Sequence, residues 1–283
     1  MRSILRRSCL VWAMTCVACG AGDPASSPSS ASTPLQSLYR TLGTTSSTIV
    51  DLTHPLTPDG LYWPTGTPFE HRRLAWGVNE AGYWYASAEF SSPEHLGTHL
   101  DAPVHFAEQG WTAADVPIDR LIGPGLVIDI SSRVPADPDA MLEPEDIVRW
   151  EAEHGGIVSG TMAIVRSGWA SRWPDWQRYY GSETPKDVTT LHFPGVSEAA
   201  AAMLVERGVL AVGIDTASID AGRSQRFEAH RVLAAGRLVN LENLMNVDRL
   251  PATGFLLVAL PMKIADGTGG PARIVAVVPS TSK

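Results

Sequence analysis

Cysteine is nearly absent. Cys9, Cys16 and Cys19 are the only three in the 283 residues, and from residue 20 onward there is none. The folding part of the chain therefore holds no disulfide, no thiolate metal ligand and no catalytic cysteine, so any metal must be bound by His, Asp or Glu. No apolar run approaches the roughly 20 residues that a helix needs to cross a bilayer. Basic residues are outnumbered, 22 Lys and Arg against 30 Asp and Glu for a formal net charge of −8. No basic stripe is present, which argues against a groove that works by neutralising phosphates and so against nucleic acid as a partner. GxSxG, P-loop and GxGxxG patterns are also missing. What is present, 44% apolar and 18% charged residues with mean hydropathy near zero, is the composition of a globular protein with a sizeable core.

The first 19 residues read as an export signal. Arg2, Arg6 and Arg7 precede a short apolar stretch over residues 9–18, and Ala18-Cys19-Gly20 resembles the lipobox of bacterial lipoproteins. Arg6-Arg7 adds a partial likeness to a twin-arginine signal. Residues 20–48 are crowded with Ser, Ala, Thr, Pro and Gly. Such a segment buries too little surface to offset its chain entropy and reads as a disordered tether. The expectation is an exported envelope lipoprotein, touching the membrane only through its anchor, with one folded domain over residues 49–279. Short aliphatic and β-branched runs predict strands at 49–52, 126–130, 163–165, 210–214, 238–241, 255–260 and 274–278. Helices are predicted over 143–154 (Pro144 in the first turn, Gly155-Gly156 after the last), from a Ser197 cap to Gly208, and over 228–235. Interleaved strands and helices without a strict βαβ repeat mean a mixed α/β fold.

The chemistry is concentrated between residues 94 and 106. His95, His99, Asp101 and His105 all fall at odd positions, so on an extended segment they share one face. A straight strand would leave His95 and His99 about 13 Å apart at Cα, too far for one ion, but Gly97 and Pro103 let the chain bend. Imidazole combined with carboxylate suits zinc, manganese or Fe(II), whereas calcium and magnesium favour oxygens alone.

His95-Leu96-Gly97-Thr98-His99-Leu100-Asp101-Ala102-Pro103-Val104-His105 matches HxGTHxDxPxH, and on it the chain resembles the cyclase-like metal-dependent hydrolases, which include bacterial kynurenine formamidase and isatin hydrolase. The likeness continues, in order, through Asp51-Leu52-Thr53-His54-Pro55-Leu56, Phe193-Pro194-Gly195-Val196-Ser197, the Gly213 to Ser218 run, His230, Glu242-Asn243-Leu244 and the Gly267 to Arg273 run. It implies a single mixed-sheet domain of the swivelling β/β/α cyclase type. It further implies one ion on His95, His99 and Asp101, and a second on Asp101, His230 and Glu242 with Asp101 bridging. The metal would be zinc first and manganese second, one or two ions. In the same resemblance His105 is the proton-transferring histidine and Trp63 an aromatic that packs on the substrate. Family members assemble as dimers or tetramers, so a homodimer or homotetramer is expected.

The implied reaction is hydrolysis of an amide or formamide on a small aromatic compound, arylformamidase-like on N-formylkynurenine, with isatin-type ring opening or other cyclic amide or lactone hydrolysis as the alternative. A cation lowers the pKa of water toward ~7 and polarises a carbonyl, while an imidazole can take and return the proton. A non-catalytic envelope lipoprotein that binds metal or a ligand is the competing class; it has no use for His105. The export signal sits poorly with tryptophan catabolism, which is a cytosolic pathway. His54 is expected at the site entrance. His71, His154 and His192 read as surface or hydrogen-bonded residues. The aromatic stretch over residues 169–180 is either a lid or a loop packed on the core.

Overall fold

The computed structural model describes residues 47–279. The expected export signal, the expected lipid attachment at Cys19 and all but the last two residues of the predicted tether lie outside the described residues. In chain order the elements are β1 (Ser47–Asp51), β2 (Glu70–Val78), β3 (Trp84–Ser91), β4 (His99–Asp101), β5 (Ile122–Asp129), β6 (Met141–Leu142), α1 (Pro144–His154), β7 (Met162–Arg166) and α2 (Trp176–Tyr180), followed by β8 (Gly195–Val196), α3 (Glu198–Glu206), β9 (Ala211–Ile214), α4 (Glu228–Ala235), β10 (Val239–Glu242), β11 (Phe255–Pro261) and β12 (Gly269–Pro279).

Period-two alternation builds the centre. Met162 and Ile164 of β7 pack with Val127 of β5, Leu241 of β10 and Leu257 of β11 in one cluster. Ala163 and Val165, offset by one residue, pack with Leu126, Ile128 and the helices in another. Strands β5, β7, β9 and β10 run parallel, and the sheet order is β1-β12-β11-β5-β7-β9-β10-β4. Strand β4 also pairs antiparallel with the start of β12, Asp101 opposite Gly269 and His99 opposite Pro271. The sheet thereby closes on itself in a barrel-like arrangement, and the mixed α/β single domain expected from the sequence is what forms. The three residues of β4 sit at the seam, paired on both sides.

Helices cover the outer face for reasons visible in the sequence. Helix α1 has Pro144 in its first turn and a reciprocal capping box between Glu143 and Asp146, and it turns Ile147 and Trp150 onto the sheet; Trp150 Nε1 donates to Val127 O at 2.8 Å. The Ser197 hydroxyl caps α3 by accepting from Ala200 N. The stretch over residues 169–180 is a surface segment that packs its aromatics onto the core: Trp169, Tyr179 and Tyr180 are fully buried, and the Trp169 indole N–H donates to Tyr179 O. The β2–β3 hairpin is an element that the sequence reading lacks. It projects with Trp76 (56% exposed), Trp84 (61%), Leu74 and Val78 open to solvent.

Asp146 also holds the barrel exterior to its flank, accepting from Arg133 Nη1 (2.6 Å) and Nη2 (2.8 Å), Glu143 N (3.0 Å) and Arg149 Nη1 (3.0 Å). Burial opposes its charge, but Arg133 and the Glu143 N–H outweigh burial and hold the carboxyl below the usual aspartate range. A depressed folded-state pKa contributes stability above the unfolded value and loses it as pH falls through the folded one. Asp146→Ala is expected to cost about 2–3 kcal/mol in urea unfolding at pH 7. That difference should shrink in acid.

Candidate metal centre

Local backbone geometry gathers the histidines. Gly97 adopts φ +61°, and a Cβ there would meet Leu56 Cδ2 at 2.7 Å, so glycine is required for the bend between His95 and His99. The bend brings the two rings to 5.3 Å between centroids, edge to face. Strand β4 then presents His99 and Asp101 on one face, and Glu242 of β10 stands directly opposite His99 in register. Pro103 opens a 3₁₀ turn (Pro103–His105) that folds His105 back over His95, their rings stacked at 3.9 Å. His230 arrives in the first turn of α4, which Asp220 caps by accepting from Ala229 N (2.8 Å) and His230 N (3.1 Å).

The structure thus brings together all six predicted residues of the centre. Asp101 Oδ1 lies 2.6 Å from His95 Nδ1 and 3.2 Å from His99 Nε2, and Asp101 Oδ2 lies 3.1 Å from His230 Nε2. Glu242 stands 3.4 Å from His99 Nε2 and 3.1 Å from His230 Nε2. Ligand atoms on a tetrahedral ion with bonds of about 2.0–2.1 Å stand about 3.3 Å apart. The distances of His99 and His230 to these two carboxylates, 3.1–3.4 Å, are close to that figure. Two three-residue sets have ligand atoms mutually within 4.8 Å: His99, Asp101 and Glu242, and His95, Asp101 and His105. Asp101 belongs to both, as a bridging carboxylate would. Cross-strand pairing also puts His99 beside Glu242, the 3₁₀ turn puts His105 beside His95, and His230 Nε2 stands 3.1 Å from both Asp101 and Glu242.

Hydrogen bonds fix which nitrogen of each imidazole faces the centre. His99 Nδ1–H donates to Gly97 O at 2.9 Å, leaving Nε2 buried without a hydrogen-bond partner. His230 Nδ1–H donates to Asp220 at 2.6 Å, leaving Nε2 toward Asp101 and Glu242. An orphaned nitrogen between two carboxylates is what a divalent cation would satisfy. The electrostatics agree. Burial works against charge on His99, yet Asp101 and Glu242 raise it to about 9. His230 is likewise held well above the usual histidine range by Asp101, Asp220 and Glu242 against burial, and Asp101 well below the aspartate range by its three histidines. A carboxylate field that binds protons this firmly will also hold a cation in their place. His105 is different: burial pushes it down to about 4, only partly opposed by Asp101, so its imidazole is neutral at pH 7.

A cavity of about 290 Å³ opens onto the centre. Trp63 lies on its wall, with Tyr62, Phe106, Phe227 and Tyr180 beside it. Phe106, next to His105, tilts against both Phe227 and His230. The cavity aromatics other than Trp63, and the orienting Asp220, carry no motif and are found only in three dimensions. His54 is elsewhere. It is buried, stacked on Trp173 at 4.2 Å, and lines a separate cavity with Arg166 and Asp215, because Thr98 Oγ1 accepts from its backbone N and turns the strand away from the entrance. His71 lies on the exposed hairpin, His154 beside Trp150, and His192 against Asp139 at 2.7 Å, as expected of surface residues.

A profile of the Cyclase family matches residues 50–221. The chain belongs to the Cyclase family. Among curated relatives it is 37% identical over 195 residues to isatin hydrolase of Roseibium aggregatum, covering 66% of this chain and 72% of that one. It is 30% identical over 242 residues to kynurenine formamidase of Paracidovorax citrulli, covering 84% and 100%. Among solved structures, isatin hydrolase A from Labrenzia aggregata bound to benzyl benzoate superposes with TM-score 0.80 at 32% identity, over 88% of this chain and all of that one. The cyclase-family chain is accordingly a hydrolase acting on C–N bonds other than peptide bonds, in agreement with the sequence reading.

Two variants separate ligand from proton carrier. Asp101→Ala should remove most bound zinc or manganese from the purified domain, since both ligand sets share it. His105→Ala should retain at least one ion per chain while turnover falls by roughly 10²–10⁴-fold. Metal analysis alongside activity reads both, and full metal retention in Asp101→Ala would refute the assignment.

Proposed function

We propose that this protein hydrolyses an amide bond of a small, flat aromatic compound, using zinc or manganese held by His95, His99, Asp101, His230 and Glu242. The observation that carries the reading is the orphaned His99 Nε2 between two buried carboxylates at the floor of an aromatic-lined cavity. When bound, the cation supplies an acidified water and a polarised carbonyl. His105, neutral and partly buried against His95, takes the proton at an imidazole nitrogen and returns it to the departing nitrogen. Trp63, Tyr62 and Phe106 supply flat apolar surface that orients the ring and excludes water.

An arylformamide and a cyclic aromatic amide both fit this chemistry. One feature favours a neutral substrate over an amino-acid one. Glu242 is the one carboxylate on the cavity wall, and no lysine or arginine lines it among the described residues. The amino-acid tail of N-formylkynurenine would lose its hydration there without a counter-charge, whereas a neutral isatin-type lactam buries no charge on entry. The test is kcat/KM for isatin, formanilide and N-formylkynurenine on stripped enzyme restored with each metal. The expected order places isatin and formanilide at least about tenfold above N-formylkynurenine, a difference of about 1.4 kcal/mol in transition-state stabilisation. The reverse order returns the arylformamidase of an amino-acid substrate, and absence of metal-dependent turnover on all three leaves the metal- or ligand-binding lipoprotein.

The expected assembly and anchoring belong to the same proposal. A two-stranded hairpin is marginal alone in water, and β2–β3 carries Trp76, Trp84, Leu74 and Val78 uncovered, which supports a homo-oligomer that buries it. Export and attachment through Cys19 rest on the residue pattern alone. Sedimentation of residues 47–283 should give a dimer or tetramer at micromolar concentration, and Cys19→Ser should move the full chain from the membrane to the soluble fraction; a strict monomer, or wild-type protein already soluble, contradicts the respective half.

A further inference from the structure

His95 is the ligand whose position needs the most explanation. Its side chain is 24% exposed, against 3–6% for His99, Asp101, His230 and Glu242, and it lies between β3 and β4 rather than on either. Nothing in its own backbone fixes the ring. The restraint comes from the other end of the chain, 173 residues away.

Thr268 lies just before β12. Its hydroxyl lies 2.7 Å from Glu94 Oε2 and 2.8 Å from His95 Nε2, and its backbone N–H also donates to Glu94 Oε2 at 2.7 Å. A carboxylate only accepts, so the single hydroxyl proton goes to Glu94. The Thr268 oxygen must then accept from His95 Nε2–H. The two Thr268 donors converge on the same oxygen, Glu94 Oε2, so the carboxylate is held as the acceptor of this turn. With Nε2–H engaged by Thr268, Nδ1 is the nitrogen that faces Asp101 at 2.6 Å, where a proton bridges the two without metal and a bound cation would take its place.

The two glycines flanking Thr268 serve the same ring. A Cβ on Gly269 would stand 2.7 Å from His95 Cε1 and 3.1 Å from Nδ1, crowding the metal-facing nitrogen, as well as 2.5 Å from Leu100 O. A Cβ on Gly267 would meet Glu94 Oε1 at 3.2 Å and Ile264 Cβ at 2.9 Å. The Gly267-Thr268-Gly269 turn can therefore close on Glu94 and His95 only because its outer residues lack side chains. His105 stacks on the ring so held, so its position depends on the same turn.

We infer that Glu94 and Thr268 are positioning residues that fix His95 as an Nδ1 ligand, opposite to the Nε2 mode of His99 and His230. The inference rests on the metal reading above and extends it to residues outside the ligand set. Partners of this kind set ring orientation and tautomer, and their removal costs about 10–100-fold in metal affinity.

The test uses Thr268→Val, which keeps the shape and removes the hydroxyl, Thr268→Ser, which restores it, and Glu94→Gln. Zinc dissociation constants come from chelator competition, and His95 nitrogen environments from ¹⁵N-imidazole NMR of the zinc-loaded protein. Wild type should show His95 protonated at Nε2 and metallated at Nδ1. Thr268→Val should lose about 10–100-fold in affinity and the single tautomer together, with circular dichroism and thermal midpoint near wild type, and Thr268→Ser should recover both. If Thr268→Val misfolds, Glu94→Gln carries the comparison, with the same loss of the single His95 tautomer expected. Unchanged affinity and tautomer in folded variants, or His95 metallated at Nε2 in wild type, overturns the inference alone. Wild type that binds no zinc instead overturns the metal reading on which it stands.

Discussion

The structure is organised around one buried carboxylate. Asp101 is about 2% exposed and touches three imidazoles, an arrangement that costs desolvation and is tolerated only if every lone pair finds positive charge. Protons on His99 and His230 can supply that charge, and so can a divalent cation. The fold makes the location rigid. β4 is three residues long, yet it is hydrogen-bonded to β10 on one side and β12 on the other, so Asp101 cannot relax away from its histidines without opening the barrel.

That seam also explains how distant parts of the sequence come to serve one centre. Register with β10 brings Glu242 opposite His99, and register with β12 brings Gly269 opposite Asp101. Asp220 ties α4, and with it His230, to the same place. The three histidines therefore differ in how they are held. His99 is oriented by the Gly97 carbonyl in its own segment, His230 by a helix cap, and His95 by a turn from the far end of the chain.

What could be read from the sequence follows from how local each signal is. The His95 to His105 pattern was legible because four ligand-type residues sit on one short segment with a bend-permitting glycine at its centre. The core strands were legible because apolar residues such as Val127, Ile164 and Val212 are buried and their neighbours of opposite parity are buried too, giving continuous aliphatic runs. The hairpin was not, because Trp76 and Trp84 face solvent and give no buried alternation in this chain. His54 was misplaced because its direction depends on Thr98, 44 residues away. Glu94, Thr268 and Asp220 are ordinary polar residues until the barrel closes and gives each a histidine to orient.

The most direct test of this account is the anomalous X-ray scattering of crystals soaked in zinc, recorded on both sides of the zinc edge. A shared carboxylate seat predicts a peak at about 2.0–2.2 Å from an Asp101 carboxylate oxygen, in contact with His95 Nδ1 or with His99 Nε2. A second ion, if bound, must share Asp101. A peak that excludes Asp101, or none in the cavity at saturating zinc, would contradict the account.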